Sequence, residues 1–345
     1  MKEEDRPINK KNDKPLMSQR VFLLCVASFS LLVLMVEDSK SADSAAGYPS
    51  KPIEYAVHSS PGGNSDRFSR LVSDIVKQEK ILSQPLVVLN KPGAGGGAVM
   101  GYVFERKGNP YLIMNVPLGN FIGTTLRENV PYSIKSFTPI VNMAIDGSVL
   151  VVKSDSPFKT IDDLIAEAKK RPKELIQGGS SFTSSRTLTG KSIQKLKGVQ
   201  WNFISFKTEA EALINVLSGN VHFAITSPGV VLDHMRAGRV RGLLVDAPER
   251  YSQFRDTPTI KEAGMGEPLV IHHGILGSPN MPDYAVKKLE AAFRKVIDSD
   301  RFKKFREDEV LQPGWISTAE YTRLLNEEAD RLKTLLRELN LLKKK

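Results

Sequence analysis

Cysteine is almost missing from this chain: 345 residues contain one, Cys25. A single thiol excludes a disulfide framework and a thiolate metal cluster, and it leaves no cysteine–histidine pair beyond the N-terminal segment. Histidine is sparse as well. His58, His222, His234, His272 and His273 show no metal-ligand spacing, and adjacent strand residues such as His272 and His273 point to opposite faces. No segment reads G-x-x-x-x-G-K-[ST] or G-x-S-x-G, which removes the nucleotide P-loop and the hydrolase nucleophile elbow. Long hydrophobic runs are lacking too. The uncharged apolar run Val21 to Val36 has sixteen residues, where a bilayer span takes roughly 20.

That run follows Lys14 and Arg20 and precedes small, polar residues from Glu37 to Gly47, the layout of a secretory signal peptide. Ser44-Ala45-Ala46 is the expected cleavage site, so 1–46 is read as leader and signal and the mature chain as periplasmic. Met17 is an alternative start, and an uncleaved membrane anchor is the alternative fate. Leu23-Leu24-Cys25 lacks the small residue that a lipid-attachment site needs. Net charge is +10, and 1–46 carries seven basic and seven acidic residues, so the remainder keeps the same surplus. Its basic residues are scattered among acids without interleaved aromatics, so no nucleic-acid partner is expected.

What the chain does have is glycine-rich turns between strands and helices. Ile53 to His58 reads as a buried strand stopped by Pro61-Gly62-Gly63. Asn64 or Ser65 is the expected N-cap of a helix carrying Phe68, Leu71, Val72, Ile75 and Val76 at a 3.6-residue period. Free amides and the positive end of the helix dipole converge in such a turn, which suits an anion. A second strand, Leu86 to Leu89, ends in Asn90-Lys91-Pro92-Gly93-Ala94-Gly95-Gly96-Gly97, and a third, Tyr111 to Val116, exits through Pro117-Leu118-Gly119-Asn120.

Phe137 to Ile140 and Val149 to Val152 read as strands, with Asp146-Gly147 a turn or hinge between them. Leu175-Ile176 is a brief strand running into Gly178-Gly179-Ser180-Ser181-Phe182-Thr183-Ser184-Ser185, read as a ligand loop rather than a linker. Thr208 with Glu211, and Ser317 with Glu320, form capping boxes. Val221 to Thr226 empties into Ser227-Pro228-Gly229. Arg241 to Ala247 and His272 to Ser278 are further strands, and Pro282 opens a helix. Alternating strands and helices predict an α/β fold with mostly parallel sheets, whose ligands gather at the carboxyl ends of the strands.

Catalytic chemistry finds little support. Gly93 to Ala98 satisfies G-x-G-x-x-A, but Met114-Asn115-Val116 supplies no acid for a ribose. A nucleotide-dependent oxidoreductase on this loop is the rival reading. No base, nucleophile and orienting group assemble, and Asp66 in a first helical turn has the ordinary role of stabilising that helix end. The chain is therefore expected to be neither an enzyme nor a cofactor or metal binder.

Pro61-Gly62-Gly63-Asn64-Ser65-Asp66 with Arg70 resembles the PGG-x-x-D-x-x-x-R start of the Bug, or tripartite tricarboxylate transporter (TctC-like), substrate-binding proteins. Asn90-Lys91-Pro92-Gly93-Ala94-Gly95-Gly96 is similar to their N-[RK]-PGAGG signature. Phe137-Thr138-Pro139-Ile140, Gly219-Asn220-Val221-His222, Ala237-Gly238-Arg239-Val240-Arg241 and Pro258 to Gly264 match in order, so the likeness runs from about Tyr48 to the last helix. It implies a type II-like, two-lobed periplasmic binding protein with a two-strand hinge. Lobe 1 would be 47–146 with 248–345, and lobe 2 would be 147–247.

The same resemblance implies capture of a small di- or tricarboxylate, mainly by backbone amides, and delivery to a membrane permease. A sensory role feeding a receptor kinase is the alternative, and the chain is expected to be a monomer. The contacts it implies are Ser59, Ser60, Gly63, Asn64, Ser65 and Asp66 in the first loop and Ala94, Gly95 and Gly96 in the second. Thr183, Ser184, Ser185 and Ser227 come from the other lobe. His58 and Ser59 stand where the family places proline and an aromatic. Ser185-Arg186-Thr187 stands where it places an acid and a histidine, which makes Arg186 the expected partner of a second carboxylate.

Overall fold

Each glycine turn of the sequence does connect a strand to a helix. The structure, a computed structural model, describes residues 47–125, 130–182, 184–339 and 341. The expected export signal and Thr183 lie outside the described residues. Strand β1 (Ile53–Val57) turns into α1 (Asn64–Gln78), β2 (Leu86–Asn90) into α2 (Gly97–Phe104), and β3 (Leu112–Pro117) into α3 (Leu118–Thr125). β4 (Thr138–Asp146) and β5 (Ser148–Lys153) are separated by Gly147 alone. There follow α4 (Ile161–Lys170), β6 (Ile176–Gly179), α5 (Ser185–Lys197), β7 (Asn202–Ser205), α6 (Glu209–Leu217), β8 (Phe223–Thr226), α7 (Pro228–Arg236) and β9 (Val240–Asp246). A connection over 247–270 leads to β10 (Ile271–Gly277), α8 (Asp283–Asp298), α9 (Asp300–Asp308), β11 (Gln312–Ile316) and α10 (Thr318–Glu338).

The helix starts follow the expected chemistry. Thr160 caps α4 by accepting from the Asp163 amide while Asp163 reaches back, and Ser317 with Glu320 does the same for α10. At α6 the Thr208 hydroxyl accepts from the Glu211 amide, but Glu211 returns its bond to the Lys207 amide instead. The α1 cap differs from expectation. Gly63 occupies the N-cap position with no side-chain bond of its own, so neither Asn64 nor Ser65 is the cap.

Two sheets result, ordered β11-β4-β10-β3-β1-β2 and β7-β6-β8-β5-β9. Pro49–Lys345 forms one unit that contains both. Both sheets are mixed, which corrects the mostly parallel arrangement read from the sequence. β1 runs parallel to β2 and β3, and β6 parallel to β7 and β8. β10 inserts antiparallel between β3 and β4, and β5 lies antiparallel between β8 and β9. Local pattern carries apolarity and length but no strand direction, and these two strands arrive from the neighbouring sheet rather than across a helix.

The stripe of α10 (Tyr321, Leu325, Leu332, Leu336) packs on Val99, Met100, Leu112 and Phe121 beside the first sheet. Leu150, Phe223 and Trp201 pack under α4 on one side of the second sheet, and Val149, Val151, Ala224 and Val245 face Leu213 and Val231. Each such buried large side chain contributes about 1.5–3 kcal/mol over exposure. No helix among the described residues is long and apolar enough to cross a membrane.

The passage between the sheets is narrow. The Gly147 amide donates to the Tyr251 hydroxyl at 3.0 Å. A methyl group at 147 would come within 2.6 Å of both the Asp246 carbonyl oxygen and that hydroxyl. Gly147→Ala is therefore expected to destabilise the fold by about 1–3 kcal/mol, read as a lower midpoint in chemical denaturation, while Ala98→Gly in α2 leaves the Gly147 joint untouched.

Candidate functional site

The register brings several chain segments to one edge of the six-stranded sheet. Val57, at the end of β1, is level with Asn90, at the end of β2. His273 of β10 lies opposite Pro117 at the end of β3 and Ala144 of β4, and Ile271 lies opposite Asp146. The loops that follow β1 and β2 leave from this carboxyl edge, where ligands of α/β sheets gather. In the second sheet, Ser148 is level with Asp246 and Val149 with Thr226, so the starts of β5 and ends of β8 and β9 form one edge beside the Gly147 joint.

The first loop is organised by Asp66. Its carboxylate is 2% exposed and accepts from the Gly62 amide at 2.8 Å, Arg70 Nε at 2.9 Å and Asn90 Nδ2 at 2.8 Å. Asn90 Nδ2 also donates to the Ser59 carbonyl, and the Ser59 hydroxyl accepts from the Asp66 amide at 3.0 Å. The Gly63 amide closes on the Ser60 carbonyl. One carboxylate thus fixes the turn, the start of α1 and the end of β2 together. The first-turn amides of Asn64 and Ser65 are left without an intrahelical acceptor. The hydrogen bond from Arg70, with those from Gly62 and Asn90, overcomes burial and holds the Asp66 carboxyl at about 2, below the usual carboxylate range. Asp66 was expected to touch a ligand; the structure turns it onto its own loop.

The second loop is shaped by backbone conformation. Gly93, Ala94, Gly95 and Gly96 all have positive φ, and Gly96 lies flat against Phe121, where a Cβ would come within 2.5 Å of the ring. The Thr124 hydroxyl donates to the Gly95 carbonyl and the Tyr132 hydroxyl to the Gly97 carbonyl, which tie the loop to α3 and the segment after it. Phe121 also meets His58 edge-on, with ring centroids 5.2 Å apart, so one ring supports both loops.

Across the joint, Arg186 departs from its expected role. Its side chain is 11% exposed, with one Nη atom 2.9 Å from Asp146 and the other 3.0 Å from Glu209. Burial opposes this charge, but Glu209 and Asp146 outweigh it and hold the guanidinium protonated. Both terminal nitrogens are committed within the chain, so Arg186 braces β4, α5 and α6 rather than standing free for a ligand. Glu209 in turn accepts from the Ser227 amide and the Thr226 hydroxyl, so Ser227 offers no free amide. Ser184 caps α5, its hydroxyl accepting from the Thr187 amide. Ser185 is buried, and its hydroxyl lies where a Cβ on Gly119 would be only 2.6 Å away. Asp246 collects the Ser148 and Thr189 hydroxyls and the Leu269 amide, and burial holds its carboxyl above the usual range.

The structure thus gathers Ser59, Ser60, Gly63, Asn64, Ser65 and Asp66 in one turn, and Ala94, Gly95 and Gly96 in the next loop. It places Ser184, Ser185 and Ser227 at the edge of the second sheet. Asn90, Phe121, Asp146, Glu209 and His273 were not among the expected site residues. Asn90 stood within a quoted signature, whereas Glu209 and His273 carried no local signal. A separate groove of about 570 Å³ runs along α5 past Gln177, Lys191, Trp201 and Phe203, and contains none of the glycine-loop residues.

Two mixed sheets joined at Gly147 and again through 247–270, with glycine loops at the edge beside Gly147, have the architecture of a periplasmic-type binding protein. The sequence pattern of the "Tripartite tricarboxylate transporter family receptor" matches residues 69–341, and the chain belongs to that family. BugT of Bordetella pertussis is 28% identical over 250 residues, covering 71% of this chain and 74% of that protein. A TctC solute-binding protein from Polaromonas superposes with a TM-score of 0.75 at 24% identity, over 84% of this chain and 99% of that one. R. palustris Rpa4515, solved with adipate, superposes with a TM-score of 0.71 at 25% identity, over 85% and 98%.

The Asp66 arrangement has a pH signature. Its folded carboxyl titrates near 2 and an unfolded one near 3.8, so the folded state binds fewer protons in between. The stability it contributes is present above about pH 4 and is lost as pH falls toward about 2. Asp66→Asn is expected to flatten that part of the stability–pH curve in denaturant titrations. At neutral pH it is expected to lower stability by about 1–3 kcal/mol, because Arg70 and the Gly62 amide lose a charged acceptor.

Proposed function

We propose that the chain is an extracytoplasmic receptor that captures a small di- or tricarboxylate and delivers it to a tripartite tricarboxylate-type permease, without catalysis or cofactor. The supporting observation is the pair of glycine loops at one sheet edge, with the first-turn amides of α1 directed out of a turn that Asp66 has already fixed. A carboxylate leaving water loses much hydration, and charge-assisted hydrogen bonds from fixed donors recover it. Donors fixed beforehand lose little ordering entropy on binding. In this reading the lobes are 47–146 with 248–345, and 147–247. They close about the two crossings at Gly147 and 247–270, and closure brings Ser184, Ser185 and Ser227 toward the loops. The adipate of Rpa4515 favours a dicarboxylate, and membership of a transporter-receptor family favours transport from the periplasm.

Thermal-shift titration with adipate, malate, citrate and butyrate, alongside NAD and NADP, tests this directly. Stabilisation by at least one of the di- or tricarboxylates and none by the nucleotides is the expected result. Stabilisation by a nucleotide alone would replace the receptor reading with the oxidoreductase one. Ser59→Ala is expected to weaken the best acid about tenfold in calorimetry, because the Asp66 amide and the turn lose their anchor.

A further inference from the structure

The groove along α5 has no part in the site described above. Thr187, Lys191 and Gln194 recur on one face of that helix and form its wall, while Gln177, Trp201 and Phe203 form its floor. Gln177 of β6 is level with Phe203 of β7, and Trp201 stands two residues before Phe203, so the three side chains share one face of the five-stranded sheet. Val199 and Leu339, the latter just beyond α10, add apolar surface. Phe182 extends the aromatic part, with its ring centroid 4.9 Å from that of Phe203 and its side chain largely in solvent. At about 570 Å³ the groove has the size of a small-molecule site.

Two polar groups in this groove lack partners. Gln177 is 2% exposed; its Oε1 accepts from the Trp201 indole at 3.0 Å, which orients the amide, and its Nε2 has no acceptor among the described residues. The amide lies against Gly190, where a Cβ would collide with Oε1 and come within 3.2 Å of Nε2, so the absence of a side chain there is what admits it. Lys191 is the next residue of the helix. Its side chain is half-buried and makes no ion pair among the described residues, and burial alone lowers the basicity of its ammonium. The other lysine of the lining, Lys195, is held by Glu338 at 2.6 Å. No carboxylate lines the groove. Lys191 also sits in the middle of α5, away from the negative end of the helix dipole at Gly198. A buried donor without an acceptor is uncommon and unfavourable, and a half-buried cation without a counter-ion is likewise unfavourable.

We propose that this groove is a second ligand site, separate from the glycine loops, that takes a small aromatic acid whose ring lies on Trp201 and Phe203 and whose carboxylate accepts from Lys191 and the Gln177 amide. It stands independently of the receptor reading above. The aromatic floor favours a ring, because offset and edge-on aromatic pairs gain beyond the area they bury. The wall favours an anion, because a carboxylate supplies the acceptor that Gln177 lacks and the counter-charge that Lys191 lacks, through charge-assisted hydrogen bonds. Neither half of such a ligand suffices. An aliphatic acid leaves the floor in water, and an uncharged aromatic leaves Lys191 unpaired.

The probe is 3-phenylpropionate, with 3-phenylpropanol and butyrate as controls that lack the charge or the ring. Trp201 and Trp315 are the two tryptophans of the chain, and Trp315 lies on β11 beside Arg294. Their indole N–H resonances are told apart with Trp315→Phe. In the ¹H–¹⁵N spectrum of the wild-type protein, 3-phenylpropionate is expected to shift the Trp201 resonance saturably and to leave that of Trp315 in place. Both controls are expected to bind about tenfold more weakly or less, a comparison that needs no variant to fold. Lys191→Met keeps the apolar stem and removes the charge, and is expected to weaken 3-phenylpropionate about tenfold while leaving 3-phenylpropanol unchanged. Saturating adipate should leave the Trp201 shift in place. No saturable shift at Trp201, equal affinity for acid and alcohol, or undiminished affinity in folded Lys191→Met overturns the proposal. Displacement of the probe by adipate overturns it too, because the probe would then lie at the glycine loops. The receptor reading stands or falls on the thermal-shift titration and not on these outcomes.

Discussion

A single buried carboxylate holds the site region in shape. Asp66 takes one hydrogen bond from the turn that precedes its helix, one from the next helical turn and one from the end of the neighbouring strand. Glycine turns are conformationally free, and freedom is what a preformed anion site cannot have. Three donors on one anion remove it at the point where loop, helix and strand meet. The second loop is restrained differently, by the flat contact of Gly96 with Phe121 and by carbonyl bonds to Thr124 and Tyr132. Since Phe121 also meets His58, the restraint on one loop is shared with the other.

Charge is distributed unevenly about the joint between the sheets. On the six-stranded side, Asp66 and Arg70 neutralise each other beside the loops. At the joint, Arg186 lies between Asp146 and Glu209, and Asp246 is held by hydroxyls and an amide rather than by a cation. Buried ions of this kind add little net stability over apolar packing, but removing one partner leaves the others uncompensated. Their effect is to fix which residues stand next to Gly147. Arg186 brings β4, α5 and α6 to a single point, and Glu209 passes that order on to the turn at Ser227.

The sequence allowed the helices, most strands and both glycine loops to be read, because the signals are local: Thr160 before Asp163, Ser317 before Glu320, Pro61-Gly62-Gly63 between a strand and an apolar stripe. It concealed what depends on distant residues. Arg186 looked free for a ligand because Asp146 lies forty positions earlier in the chain and nothing near Arg186 announces it. The cap of α1 was misassigned to Asn64 or Ser65 because the hydroxyl that serves the first turn comes from Ser59, seven residues before the amide it accepts. Sheet direction was hidden for the same reason. A short apolar strand looks alike whichever way it runs, and β5 and β10 take their direction from partners outside their own segment.

The position of β10 also sets an order of events in time. It lies between β3 and β4, so the six-stranded sheet lacks an inner strand until the whole of the five-stranded sheet has been synthesised. Until then β3 and β4 have no shared partner, and the contacts that join them close a loop spanning more than a hundred residues, which slows folding. The five-stranded sheet, drawn from one continuous stretch, is free to form first. A nascent chain of this topology therefore keeps its larger sheet open to the last, and the glycine loops at that sheet's edge acquire their final neighbours only when the C-terminal third has arrived.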